Sequence, residues 1–245
     1  MNVWVEVTGR KRTERISKRD LEILEFVARY GVVLREVVAM WAKTGRAVTA
    51  ARERRLREAG LIDVLPGIGE SGRLVLCTRR GLRAIGREEL PVARFSAATL
   101  RHSAVAARVA TQLEGAGHQV LSEREIEARE RAEGRRVFSA ECRNGRLHRP
   151  DLVLLGQRPE ALEVELTAKS ARRLDEILRA WRRSLGREQF GRVRYLCAAR
   201  ALPYVNRAAR RIRAEDLIEV EPLRDADNLH RAVAEGPALP GLARG

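Results

Sequence analysis

The chain has 245 residues, 44% of them apolar, with 48 Lys+Arg against 33 Asp+Glu and a net charge of +15. It is long enough for two modest domains and can bury a core, while the lack of any uncharged apolar run of about 18 residues excludes a membrane-spanning helix. Cys77, Cys142 and Cys197 stand far apart without a C-x-x-C pair, so the sequence suggests neither a disulfide framework nor a zinc cage.

Residues 1–14 read as an N-terminal arm. Glu6, Arg10, Lys11 and Arg12 interrupt any apolar stretch there, so it does not read as a secretory signal and the expected location is cytoplasmic. Ser17 followed by Asp20, with Leu21, Leu24, Val27 and Ala28 at helical spacing, predicts a capped amphipathic helix ending near Gly31. A second helix is expected over 34–41, with Val37, Val38 and Trp41 inward. A third runs over 46–59 and stops at Gly60, the residue type favoured after a helix. Residues 61–65 and 73–77 read as two strands joined by a glycine-rich tip at 66–72, and Thr78 caps a further helix reaching about Gly86.

Three helices followed by a two-stranded hairpin resemble a winged helix-turn-helix over residues 15–90. On the third helix Val48, Leu56 and Ala59 fall on the inner arc, and Arg46, Ala50, Glu53, Arg54 and Arg57 on the outer one. The resemblance implies that this helix enters the major groove of double-stranded DNA. Arg46, Thr49 and Arg54 would then be the contacts, with Arg73 on a phosphate at the wing.

A helix is expected over 97–115, with His102, Val105, Ala106, Val109 and Leu113 on one stripe, and then a strand at 119–122. Residues 123–136, dense in both charges, read as an exposed helix or a loop. Leu152, Val153, Leu154 and Leu155 form an all-apolar strand of the kind buried on both faces. After a turn at 156–159, Leu162, Val164 and Leu166 alternate with Glu163, Glu165, Thr167 and Lys169. If the two strands pair antiparallel with odd residues opposite odd, Asp151 lies beside Glu163 or Glu165 and three carboxylates converge. Such an oxygen cluster suits Mg2+ or Mn2+ and, with Lys169 nearby, hydrolysis of a phosphodiester. Lys169 is the one lysine among the basic residues beyond residue 90.

Asp151, Glu163-x-Glu165 and the nearby lysine resemble the PD-(D/E)xK nuclease superfamily. A winged helix preceding such a motif is similar, more particularly, to the replication-relaxation family of plasmids and mobile elements and to restriction-nuclease-like relaxases. The resemblance implies an α+β protein: a winged helix, then an α/β nuclease-like domain with a mixed central sheet over 97–222, and a tail at 223–245. It implies a DNA-nicking activity in plasmid or mobile-element replication or transfer, with Asp151, Glu163 and Glu165 as metal ligands and catalytic residues and Lys169 assisting. Replication or conjugation proteins would be the further partners. The lysine stands two or four residues beyond its usual place in the motif, so a domain that keeps the fold without the chemistry, serving as a replication accessory or regulator, remains the alternative. His148 is a candidate contact to the scissile phosphate. Arg172 and Arg173 open a helix whose arginines either track phosphates or face water.

Overall fold

The computed structural model describes residues 4–8, 13–66, 73–94, 96–143, 145–187 and 189–223. The expected hairpin tip beyond Pro66 and the expected tail beyond Leu223 lie outside them. The protein is mixed α+β and divides into two compact units, Met1–Thr111 and Gln112–Ala226. The division falls within a helix, whereas the sequence set the start of the second domain at 97.

In the first unit, β1 (Trp4–Thr8) and β2 (Thr13–Ser17) pair as an antiparallel hairpin where only an arm was expected. Ser17 ends β2 and caps α1 (Lys18–Tyr30): its hydroxyl accepts from the Asp20 amide, and the Asp20 carboxylate accepts from the Ser17 amide at 3.1 Å. This reciprocal arrangement satisfies two amide groups that a helix start leaves unpaired. Then come β3 (Val32–Leu34), too short to be read from the sequence, α2 (Arg35–Ala42) and α3 (Arg46–Glu58). Gly60 adopts φ 70°, as expected of the residue that turns the chain out of α3. Next, β4 (Ile62–Leu65) and β5 (Leu74–Cys77) join β3 in an antiparallel sheet of order β3-β5-β4. Thr78 caps α4 (Arg79–Ala84) by accepting from the Gly81 amide. A Cβ at Gly81 would lie 2.1 Å from the Leu61 carbonyl oxygen, so only glycine lets α4 approach the α3–β4 hinge.

The apolar pattern turned Val48 inward and Glu53 outward, and the structure reverses both. Val48 is 48% exposed, whereas Thr49 (1%), Glu53 (3%) and Leu56 (0%) form the inner stripe of α3. Pairing explains the difference. Arg35 Nε meets Glu53 at 2.7 Å, and Arg52 and Arg55 reach the fully buried Asp20 at 2.7 and 2.9 Å. Charged side chains thus occupy positions that periodicity assigns to apolar ones.

The helix α5 (Ala97–Gly115) leads into the second unit, followed by β6 (Gln119–Ser122), α6 (Glu123–Glu133), β7 (Ala140–Glu141), β8 (Leu147–His148), β9 (Leu152–Leu155), β10 (Glu160–Glu165), α7 (Ala171–Gly186), β11 (Arg192–Cys197), α8 (Leu202–Arg211) and β12 (Ile218–Pro222). The charged segment after Ser122 is a helix, fixed at its start by a reciprocal Ser122–Glu125 cap. The main sheet has order β12-β11-β10-β9-β6. Its β6, β9 and β10 are antiparallel, and β10, β11 and β12 parallel with a helix crossing over between each pair. On one face Val153, Ala161, Val193 and Tyr195 pack with Leu174, Leu178 and Trp181 of α7 and Val205 and Ala208 of α8. Since β10 is central and Ala161–Leu166 is buried throughout, Glu163 and Glu165 lie in the interior and not on a solvated edge.

Candidate functional site

Strand pairing places the acidic cluster. On β9 and β10, Leu152 pairs with Leu162 and Val153 with Ala161, so one step further the same register sets Asp151 opposite Glu163. There β9 has ended, and the Asp151 carboxylate takes the place of a strand carbonyl, accepting from the Val164 amide at 2.7 Å. Glu163 and Glu165 are each 3% exposed. Alternation sends both to the α7 side, with Tyr195 and Cys197 beside them on β11.

Each buried glutamate has a basic partner of its own. Glu163 Oε1 accepts from His148 Nε2 at 2.7 Å and from the Trp181 indole at 3.1 Å. Glu165 is ion-paired to Lys169. The strand ends at Glu165, so Lys169 lies beyond the alternation and returns from the following loop. Burial opposes the charge on both cations, but the carboxylates prevail: Glu163 and then Asp151 hold His148 above the ordinary imidazole value, and Glu165, Glu163 and Asp151 raise the Lys169 ammonium. Burial likewise lifts Glu165 above the usual carboxylate range against the pull of Lys169, with Glu163 and Asp151 adding to the rise. Burial, then the Glu165 charge, pushes the Cys197 thiol up to about 12, and burial, then the charges of Glu163 and Glu165, raises Tyr195 well above its usual value. Neither is a nucleophile at neutral pH.

Three carboxylates at one end of a sheet are a donor set suited to a hard divalent cation. In the present side-chain placement no group of three His, Cys, Asp or Glu forms a metal cage among the described residues. Glu163 is turned to His148 and Trp181, and Glu165 to Lys169.

In the first unit, Arg54, Arg57 and Arg73 line one groove between α3 and the β4–β5 hairpin, together with Arg35. Arg46 is exposed at the start of α3. Thr49, expected on DNA, is instead 1% exposed, its hydroxyl meeting Thr44 Oγ1 at 3.0 Å and the Gly45 carbonyl at 3.1 Å. It belongs to the inner wall of α3, because the buried ion pairs turn that face to the core. In the second unit, Arg172 is exposed and Arg173 is bound to Glu176 at 3.0 Å. The later arginines of α7 are also engaged: Arg179 with Asp175, Arg182 with the Ile212 carbonyl and Arg183 with the Glu141 carbonyl. Of these, Arg173 and Arg179 are neutralised by carboxylates, whereas Arg182 and Arg183 bond only carbonyls and keep their charge.

Several residues of these sites were not assigned from the sequence. Trp181, which donates to Glu163, was not read as a site residue. Tyr195 and Cys197 could have been placed by extending the alternation test to β11. Arg35 carries no local signal, since its groove exists only once β5 lies beside β3. Comparison with known proteins finds no matching family model and no curated protein of significant similarity, so the reading of these sites rests on their chemistry.

Proposed function

We propose that the chain is a DNA-binding protein that nicks DNA, holding duplex DNA with its first unit and hydrolysing a phosphodiester with a divalent metal in its second. The observation that carries this reading is the register that brings Asp151 opposite Glu163, two residues from Glu165, with Lys169 on the same cluster. The helix, three antiparallel strands and two parallel strands of the second unit support a PD-(D/E)xK nuclease-like fold. Three helices and the β3-β5-β4 sheet support a winged helix in the first. The setting, plasmid or mobile-element replication or transfer with its partner proteins, comes from the resemblance of the motifs alone.

In this reading Asp151, Glu163 and Glu165 hold Mg2+ or Mn2+. The cation, when bound, supplies charge neutralisation at the phosphate and an acidified water. The Val164 amide fixes the Asp151 carboxylate, while His148 and Trp181 orient Glu163. Lys169 keeps a positive charge beside the cluster, where it can steady the negative charge that develops on the phosphate.

A second reading, a nuclease fold serving only as a DNA-binding scaffold, is favoured by the same ion pairs, since His148 and Lys169 already engage the glutamates. Supercoiled plasmid incubated with Mg2+, Mn2+ or chelator separates the two. Metal-dependent conversion to open circles, lowered at least about 100-fold in Asp151→Ala, is expected. Intact plasmid under every metal condition, with DNA binding retained, would contradict the nicking activity and leave the scaffold.

A further inference from the structure

Apart from the carboxylate cluster, the second unit contains a cavity of about 680 Å3 whose lining includes Arg135, Arg136, Arg143, Arg183 and Arg187 against the single carboxylate of Glu141. The walls are fixed. Glu130, 6% exposed, accepts from the amides of Val137, Phe138 and Ser139 and from the Ser139 hydroxyl, and so pins the loop that carries the first arginines. Gln189 donates to the Val137 and Ser139 carbonyls from the other side, and Arg183 bonds the Glu141 carbonyl at 2.6 Å.

The charge in this cavity is unbalanced. Arg136 takes Glu141, and Arg135 takes Glu133 at 2.7 Å. Arg143 and Arg187 have no carboxylate ion pair among the described residues. Guanidinium groups gathered around one space repel each other unless an anion lies among them, and their planar forks match phosphate oxygens in pairs. The space exceeds what one phosphate needs, and the arginines face it from both a loop and a helix, which suits a run of phosphates.

We propose that this cavity is a phosphate-binding site and that its ligand is the backbone of the DNA strand being processed. The identity of the ligand rests on the DNA-nicking reading, but the existence of the site does not. Two elements are shared with the carboxylate cluster. The β7–β8 hairpin pairs Ala140 with His148 and carries Glu141 on the cavity side, and α7 sends Trp181 to Glu163 while Ala180 and Ser184 line the cavity. A strand held here is thereby tied to the elements that orient Glu163.

The test is arginine modification by phenylglyoxal on the full chain, mapped by mass spectrometry, in chelator, with pyrophosphate or a 12-nucleotide single-stranded DNA as the protecting probe. Both probes are expected to protect Arg143 and Arg187 more than the exposed Arg131 and Arg192. Arg143→Ala combined with Arg187→Ala should weaken pyrophosphate about tenfold without altering the melting temperature, since neither side chain is in an ion pair. Protection by DNA alone also supports the proposal, whereas protection by pyrophosphate alone keeps the site but overturns DNA as its ligand. Equal or absent protection at Arg143 and Arg187 relative to the controls overturns the site itself. If DNA at the same time protects Arg54 and Arg73, DNA binding stands while this site falls.

Discussion

Asp20 shows how much of this protein depends on single buried charges. It is fully buried, caps α1, and holds Arg52 and Arg55 of α3. Burial alone would raise its pKa, but the bonds from Ser17, Arg52 and Arg55 outweigh that and hold it below its ordinary value. Glu130 behaves in the same way, with burial overcome by the Ser139 hydroxyl and three backbone amides. A carboxylate whose folded pKa is depressed contributes stability that is complete above its unfolded value and lost as pH falls through the folded one. Urea midpoints should therefore drop as pH is lowered below about 4, and Asp20→Asn or Glu130→Gln should flatten that decline. At neutral pH, Asp20→Asn should cost about 2–3 kcal/mol, because it leaves two half-buried guanidiniums without their counter-charge. A midpoint unchanged by the substitution would mean that α3 is held by its apolar contacts alone. For DNA, Arg54→Ala should weaken a specific site more than random sequence, whereas Arg73→Ala should weaken both about equally. Equal losses for Arg54 in a competition binding assay would remove it as a base reader.

Among the elements, the approach of α4 to the α3–β4 hinge depends on Gly81. Gly81→Ala should destabilise the first unit by about 3 kcal/mol, read as a lowered melting temperature, because the added methyl meets a backbone carbonyl that has no rotamer to change. The main elements were legible in the sequence wherever burial follows apolar residues. The α1 cap, the strand at 119–122 and the all-apolar β9 follow from spacing and turn length, whereas the odd-to-odd register left Glu163 and Glu165 as alternatives opposite Asp151, and the strand pairing selects Glu163. What was not legible involves charge in the interior or very short pairing. The face of α3 was misread because Glu53 and Arg52 are accommodated by partners on other elements. The strands β3, β7 and β8 are two or three residues long and exist only through their partners. Likewise, the His148–Glu163 and Lys169–Glu165 pairs join residues whose proximity depends on how the loops return, which no periodicity encodes.

For the whole molecule, the excess of positive charge is shared, +7 in residues 1–90 and +8 in residues 91–245. Both units should thus contribute to polyanion binding, and affinity for random duplex should fall steeply with salt. The salt slope of Arg57→Ala and Arg73→Ala combined should be shallower by about two, one for each phosphate that the variant no longer neutralises. A slope unchanged in the double variant would move the DNA surface away from the α3 groove. On the proposed function, Asp151, Glu163 and Glu165 form a divalent-cation site in place of a purely internal set of ion pairs. Calorimetric titration of the full chain with Mn2+, in wild type and in Asp151→Ala, measures this without reference to any DNA sequence. Saturable binding of at least one Mn2+ per chain that the variant loses is the predicted result. Absence of binding in the wild type, or binding indifferent to Asp151→Ala, would contradict the cation site and leave the carboxylates to their internal pairs with His148 and Lys169.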